Sequence, residues 1–259
     1  MIGALLALAC STDAQEWPIQ GHVLGITEDH VVLDHEPIPG LMAAMVMNLE
    51  ARSIPAGLSP GAQIEATLVI EGSHSQLTDI RVLSTGRALA PVVAVTPPLR
   101  LDEVLAPVSV TLASGGTTIL GAGQDRPTVL AFLFTTCPLP EYCPLLASKL
   151  TLLQAEIEGE GRILAITLDP EVDSLAVLTA YGRQHGANPD TWQFARLEEP
   201  ALSALLDRAG VVRFAGEVGI RHALRLLVLD AEGRLVRLET SNRWDVSEVA
   251  ETLRRETLR

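Results

Sequence analysis

Two cysteines, Cys137 and Cys143, follow directly on an apolar run at residues 128 to 134. An apolar run of this length predicts a buried strand, and the leucines at helical spacing after Cys143 predict a helix that begins there. Free backbone N–H groups and the dipole at a helix N-terminus lower a cysteine pKa from about 8.5 toward the range of roughly 3.5 to 7.5. Because the thiolate binds soft metals and attacks disulfides, the sequence predicts a reactive thiol site.

The cysteine segment and a distant histidine together resemble the motif of the SCO1/SenC family of thioredoxin-like copper proteins. Residues 134 to 144 look like the longer-spaced form of the family's cysteine motif, with five residues between the cysteines. His222, which precedes a predicted strand, matches the family's histidine, and the likeness spans roughly residues 105 to 259. The resemblance implies that Cys137, Cys143 and His222 bind copper as Cu(I), with Cu(II) as a further ion at this site. It also implies delivery to a respiratory copper centre such as that of cytochrome c oxidase.

Other thiol chemistry on the same fold is less consistent with this segment. A thioredoxin-type oxidoreductase needs Cys-x-x-Cys, whereas these cysteines are more widely spaced. His222 also lies in the stretch where such enzymes place a cis-proline. Peroxidases of the fold carry a proline where this chain has Leu130. A plain disulfide is common in exported proteins and does not explain His222, but we expect Cys137 and Cys143 to form one when copper is absent.

A second set of soft ligands lies near the N-terminus. Met42, Met45 and Met47 are three of the four methionines in the chain, and they follow His35. Met45 and Met47 fall on a predicted strand, where alternate side chains point to the same face. Thioether and imidazole groups without a carboxylate suit Cu(I) and suit hard ions poorly. The alternative is that these methionines fill a barrel core.

This segment is similar to the small periplasmic copper-binding barrels of the CusF-like type, in which a histidine and two methionines bind Cu(I) or Ag(I). The resemblance implies that His35, Met45 and Met47 are ligands. Those barrels cap the ion with a tryptophan, and the matching position here is Met42. A fourth thioether ligand or a lid would then replace the cation–π cap.

The third cysteine, Cys10, follows a short apolar stretch at residues 4 to 9. This pattern looks like a bacterial lipoprotein signal, in which the cysteine becomes the lipid-bearing N-terminus and anchors the protein to the membrane. The alternative is an ordinary cleaved signal. Both readings predict an exported protein on the periplasmic side of a bacterial membrane.

The pattern of apolar residues predicts two domains, because 259 residues exceed the usual length of one. Residues 1–15 form the signal segment, and residues 16–86 read as five short strands of an OB-like, all-β barrel. Residues 87–107 contain several prolines and are predicted to be an extended linker. Residues 108–259 alternate strands and helices, which predicts an α/β thioredoxin-like domain.

Net charge excludes one class of partner. The formal charge of -13 argues against nucleic acid, because neutralising phosphates requires a basic surface. Three functions remain open. The first is copper delivery to a respiratory copper-centre subunit or another copper protein, the second is reduction of a partner's copper-ligand cysteines, and the third is sequestration of copper or silver.

The remaining polar candidates are predicted to be structural. Asp173 is expected to cap a helix at a solvated turn. Four histidines have no soft partner nearby and are expected on the surface: His22, His30, His74 and His185.

Overall fold

The computed structural model describes residues 14–71, 74–85, 97–157, 159–216 and 219–258. Cys10 lies outside the described residues, so its lipidation stays a prediction. In the described part of the chain, no helix combines the length and apolar character that a membrane span needs.

Five strands in the N-terminal half form a closed barrel, with neighbours in the order β1, β2, β3, β5, β4. Strands β3 and β5 pair in parallel, and the other neighbouring pairs are antiparallel. The arrangement confirms the predicted small OB-like barrel. The strand bounds are β1 (Gln15–Ile26), β2 (His30–His35), β3 (Met45–Ala51), β4 (Gln63–Glu71) and β5 (His74–Ser84).

Strands β2 and β3 are buried on both faces because each face contacts a different part of the molecule. Leu33 and Met47 point into the barrel core, whereas Val32 and Val46 lie on the outer face. The outer face is covered by apolar side chains of the C-terminal half, including Phe214. Continuous burial along these strands therefore reflects packing between two domains.

In the C-terminal half, the described residues form a seven-stranded mixed sheet in the order β14, β13, β8, β9, β10, β6, β7, with four helices and a separate two-stranded hairpin, β11–β12. It confirms the predicted thioredoxin-like domain. The strands are β6 (Val108–Leu112), β7 (Thr117–Leu120), β8 (Thr128–Leu133), β9 (Arg162–Thr167), β10 (Trp192–Arg196), β11 (Arg213–Gly216), β12 (Gly219–His222), β13 (Leu226–Leu229) and β14 (Leu235–Glu239). The helices are α1 (Cys143–Glu156), α2 (Leu175–Gln184), α3 (Ala201–Ala209) and α4 (Val246–Thr257).

The parallel pair β8–β9 forms the centre of this domain. Every residue of both strands is buried, as expected where helices cover both faces of a parallel sheet. Helix α1 packs on α4, and its inward leucines join the same core. This burial fixes the end of β8 and the start of α1. Cys137 lies between these two elements, and Cys143 begins the helix.

Residues 97 to 107, predicted from the sequence to be linker, lie against the thioredoxin-like domain. Leu99 and Leu105 belong to its core, and the backbone N–H groups of both residues bond to carbonyls of that domain. We call residues 97–107 the strap. The prolines of this segment suppress helical periodicity, so the sequence pattern resembles a linker although its leucines are anchors.

Candidate metal centre

Cys137 lies within the loop between β8 and α1, and Cys143 follows at the end of that loop. Cys143 is the first residue of α1, and Pro144 follows at a position where a missing N–H costs the helix nothing. Cys143 is buried and Cys137 is half-buried, and both are free thiols. The disulfide expected in the absence of copper therefore stays a prediction.

The two thiols share one hydrogen bond and have very different acidities. The Cys143 side chain donates to Cys137, and this bond, with further N–H groups of the loop, lowers the pKa of Cys137 to about 6 against the opposing effect of burial. The same bond, together with burial, raises the pKa of Cys143. Cys137 is thus the thiolate at neutral pH, and Cys143 is the proton donor beside it.

His222 ends β12 on the side of the hairpin that faces the cysteine loop. Its ring packs edge-on against Phe134, at 6.0 Å between ring centroids, and Phe134 directly follows β8. The His222 Nδ1–H donates to the Ala223 carbonyl at 3.0 Å, which leaves Nε2 as the nitrogen available to a ligand. Burial lowers the pKa of His222, which favours the neutral imidazole that metals require.

The structure brings the two thiols together and places His222 beside them without completing a three-ligand cluster. Among the described residues, no group of three or more His, Cys, Asp and Glu side chains is arranged to hold a metal ion. The donor set itself suits a soft ion: one thiolate, one thiol and one neutral imidazole. Ligation by all three groups would therefore require their side chains to come closer together than they are in this structure.

The barrel holds the second candidate set on its inner face. His35 lies directly opposite Met45 on the neighbouring strand, and Met47 is one alternate position further along the same face. Met45 and Met47 are buried in the barrel cluster, and Met42 packs against its edge, partly exposed. The structure therefore brings together His35, Met45 and Met47 as the sequence pattern predicts, with Met42 at the rim.

His35 has one ring nitrogen bonded and one unpaired. Nδ1 donates to the Glu36 carbonyl at 2.6 Å, whereas Nε2 is buried and has no hydrogen-bond partner. Burial lowers the pKa of His35, so its imidazole is neutral at physiological pH. An unpaired buried acceptor costs free energy, and a soft cation beside the thioethers would satisfy it.

Two sequence expectations about polar residues are wrong. Asp173 is fully buried, and the cap of α2 is instead Ser174, whose hydroxyl accepts from the Val177 N–H at 3.3 Å. The surface position predicted for His30 is also wrong, because it is buried beside Asp29 at 2.8 Å. His74 is exposed as expected.

Asp173 is a functional neighbour that local sequence reasoning missed. Its carboxylate accepts from the Thr135 N–H at 3.1 Å, from the Thr135 hydroxyl, and from the Thr167 hydroxyl at 2.5 Å. Thr135 lies two residues before Cys137, so the carboxylate fixes the start of the cysteine loop. The sequence does contain a signal for this role of Asp173. Thr135 follows one buried strand and Thr167 ends the next, so two hydroxyl donors lie at neighbouring strand ends.

Fold and site together define a thioredoxin-like protein with a reactive cysteine pair at the start of its first helix. The chain belongs to the SCO1/SenC family, whose model matches residues 122–258. The barrel lies outside the matched range, and its likeness to CusF-like proteins stays a prediction.

Solved structures share the fold of the C-terminal domain. One is a SCO1/SenC family lipoprotein from Bacillus anthracis, 18% identical, with a TM-score of 0.52 over 63% of this chain and 99% of that chain. Another is BsSco, described as a member of the Sco family of cytochrome c oxidase assembly proteins, 18% identical, with a TM-score of 0.52 over 63% of this chain and 97% of that chain. No curated protein matches the chain.

Proposed function

We propose that this protein is an exported copper chaperone that holds Cu(I) at Cys137, Cys143 and His222 and delivers it to a partner copper protein. The observation that carries the proposal is the thiol pair at the start of α1, in which hydrogen bonding lowers the pKa of Cys137 to about 6. A thiolate available at neutral pH beside a second thiol and a neutral imidazole suits a soft ion.

The proposed partner is a subunit that carries a respiratory copper centre. Membership of the SCO1/SenC family supports this partner, and so does the fold shared with BsSco, which belongs to a family of cytochrome c oxidase assembly proteins. Export, and anchoring through a lipid on Cys10, is proposed from the signal-like N-terminal sequence. The fold neighbour described as a lipoprotein supports the same location.

The barrel is proposed to be a second Cu(I) or Ag(I) site with His35, Met45 and Met47 as ligands and Met42 at the rim. The observation in favour is the unpaired Nε2 of His35, buried beside two thioethers. Core packing explains buried methionines, but it gives no reason to bury an imidazole nitrogen without a partner.

The second candidate function is reduction of a partner's disulfide. The hydrogen-bonded pair supports it, since the Cys137 thiolate can attack a disulfide and Cys143 can then displace the product as the intramolecular disulfide forms. Such a reductase should turn over with Cys137 and Cys143 alone, so His222→Ala should leave its rate unchanged. A copper chaperone should lose affinity with the same substitution.

Copper titration of the full chain tests the thiol site. Met45→Leu with Met47→Leu and Met42→Leu removes the three barrel thioethers at nearly constant side-chain volume, so bound copper then reports the thiol site. We expect one Cu(I) per chain in this background, weaker binding after His222→Ala, and loss of binding after Cys137→Ser. Unchanged affinity and spectrum after His222→Ala would remove the histidine from the ligand set.

Thermal unfolding with Ag(I) tests the barrel in a Cys137→Ser, Cys143→Ser background, where the thiols no longer compete. At about a thousandfold excess over Kd, a bound ion stabilises the folded state by about 4 kcal/mol. Met45→Leu should abolish the shift, whereas His74→Gln, at an exposed histidine of the same barrel outside the site, should not. Absence of any shift in the background protein would restore core packing as the role of these methionines.

A further inference from the structure

The two domains contact each other beside both candidate sites. Polar contacts join them at several places, and three of these contacts engage a direct sequence neighbour of a candidate barrel ligand. They are the Arg221–Asp34 ion pair at 2.5 Å, the bond from the Tyr142 hydroxyl to the Ala44 carbonyl at 3.0 Å, and the bond from the Arg225 guanidinium to the Asn48 carbonyl at 2.8 Å.

Two of these three contacts also involve a direct neighbour of a candidate ligand in the second domain, whereas other interdomain bonds, such as Ser75–Thr240, lie away from both sites. Arg221 directly precedes His222, and Tyr142 directly precedes Cys143. Consecutive residues lie only about 3.8 Å apart along the backbone, so each of these two contacts holds a ligand-bearing segment of one domain against a ligand-bearing strand of the other. Strand β12 lies against β3 accordingly.

The barrel strands carry the candidate ligands on one face and the docking contacts on the opposite face. His35 and Met45 point into the barrel, whereas Asp34 and Val46 face the second domain. Side chains of successive strand residues alternate between faces, so one short segment can supply both a ligand and a docking contact. The route from one site to the other therefore passes around the rim, where β2 ends and β3 begins.

That rim is covered by apolar groups of the second domain. Tyr142 and Leu224 belong to the same buried cluster as Met45 and Met47. Cys137 packs against this cluster and against the core of its own domain, and it is partly exposed. The barrel thioethers and the Cys137 sulfur thus border one continuous apolar surface.

We propose that Cu(I) or Ag(I) passes directly from the barrel ligands to Cys137 across this rim, without release to solvent, with Met42 as the last barrel group that it contacts. The proposal rests on the proposed function of both sites. The new element is the path of the ion, because Cys137 packs against the same apolar cluster that contains the barrel methionines.

The transfer is a ligand exchange in which copper remains Cu(I). Bonds to neutral thioether sulfurs and the His35 nitrogen break as bonds to the sulfurs of Cys137 and Cys143 form, and any thiol protons leave for solvent. No electrons move in this step. Transfer runs toward the thiolates because a cation is attracted more strongly to an anionic sulfur than to a neutral one. A Cys137–Cys143 disulfide would hold the ion on the barrel.

A chelator competition on the full chain tests the route. The oxidised protein, with the Cys137–Cys143 disulfide, is loaded with one equivalent of Cu(I) and then reduced with a phosphine in the presence of a chromogenic Cu(I) chelator. Absorbance gives the fraction captured by the chelator, and X-ray absorption gives the fraction bound to thiolates. Direct transfer predicts a captured fraction that does not rise with chelator concentration.

Variants at the rim and at a distant surface distinguish an effect on the transfer route from a general effect of substitution on the protein. Tyr142→Phe with Arg221→Gln removes two contacts and should raise the captured fraction at least threefold. Glu65→Gln breaks the exposed Arg81–Glu65 pair on the barrel and should leave the captured fraction unchanged. Met42→Leu should raise it while the barrel still binds Ag(I).

Two outcomes would overturn the proposal in distinguishable ways. If capture in the wild-type protein rises in proportion to chelator while each site binds its ion, the ion travels through solvent and only the direct route fails. If either site, measured in the background that removes the other, binds no ion, the proposed function fails and the route fails with it.

Discussion

The Asp173 carboxylate accepts a hydrogen bond from the Thr135 backbone N–H at 3.1 Å across 38 positions of sequence. The bond joins the turn before α2 to the strand end that leads into the cysteine loop. Because the carboxylate is fully buried, its hydrogen bonds have no water to replace them.

Asp173→Asn should destabilise the protein by about 2 kcal/mol. The amide retains the shape of the side chain but replaces one acceptor oxygen with a donor that faces N–H and O–H groups, and hydrogen bonds to a charged group contribute about 1.5–3 kcal/mol each. Urea unfolding measures the change. Glu171→Gln removes a nearby exposed charge and should change stability by less than about 0.5 kcal/mol. Equal effects of the two substitutions would contradict a structural role for the Asp173 bonds.

Alkylation of Cys137 should follow a titration with its midpoint near pH 6, the pKa of that thiol. The thiolate reacts and the thiol does not, so the rate should fall as pH drops through this value. Because the folded-state pKa lies below that of the unfolded chain, the thiolate also contributes stability that is complete above the unfolded pKa of about 8.5 and is lost as pH falls through about 6. Mass spectrometry after iodoacetamide treatment measures the rate at each pH.

Cys143→Ala should move this midpoint upward, because the hydrogen bond from Cys143 is the largest cause of the lowered pKa of Cys137. Cys143→Ser, which keeps a donor at the same position, should move it less. An unchanged midpoint in Cys143→Ala would mean that the groups at the helix N-terminus lower the pKa of Cys137 without help from the Cys143 side chain.

The free energy of unfolding should decrease as the pH falls below about 6.5, and His35 should account for part of this decrease. Burial lowers its pKa in the folded state, so the unfolded chain binds the proton first. The contribution of neutral His35 to stability is complete above the pKa of histidine in the unfolded chain, and it is lost as the pH falls through and below that pKa. His35→Leu should reduce the slope of unfolding free energy against pH by at most about 1.4 kcal/mol per pH unit.

Urea unfolding between pH 7.5 and pH 5 measures that slope. His74→Gln is the matched control, because His74 is an exposed histidine of the same barrel. A slope in His35→Leu equal to that of the wild-type protein would mean that His35 is protonated equally in both states.

Gly21→Ala should destabilise the barrel by about 1–3 kcal/mol, the usual cost of overpacking. A β-carbon at Gly21 would lie 2.3 Å from the Asp34 carbonyl oxygen and 2.7 Å from the α-carbon of His35. Strand β2 would have to move, and His35 with it, so Ag(I) binding should also weaken. Thermal unfolding of Gln20→Ala, an exposed change on the same strand, supplies the comparison, and a tolerated Gly21→Ala would contradict the close approach.

The sequence predicted the elements that have strong local patterns. The cysteine loop between a buried strand and a helix is where the apolar run and the leucine spacing place it, and the shared inner face of Met45 and Met47 follows from strand alternation. The short strands β11 and β12 were not predicted. Each has only four residues, so a periodic pattern of apolar residues is too short to detect.

The docking of the domains could not be predicted, for a related reason. The Tyr142–Ala44 bond joins residues 98 positions apart, and the Arg221–Asp34 bond joins residues 187 positions apart. Local periodicity carries no information about such pairs. Asp173 illustrates the same limit, because a charged residue in a turn is ordinarily solvated and only its threonine partners keep it inside.

The strap at residues 97–107 also limits how far the two domains can separate. The leucines of the strap are buried in the core of the thioredoxin-like domain. The covalent connection that could separate the two domains therefore runs only from residue 85 to residue 97, a length of twelve residues. Fully extended, twelve residues reach at most about 40 Å. A barrel released from its docking contacts would therefore remain at an effective concentration on the order of millimolar, and dilution of the protein would not change how often the two sites meet.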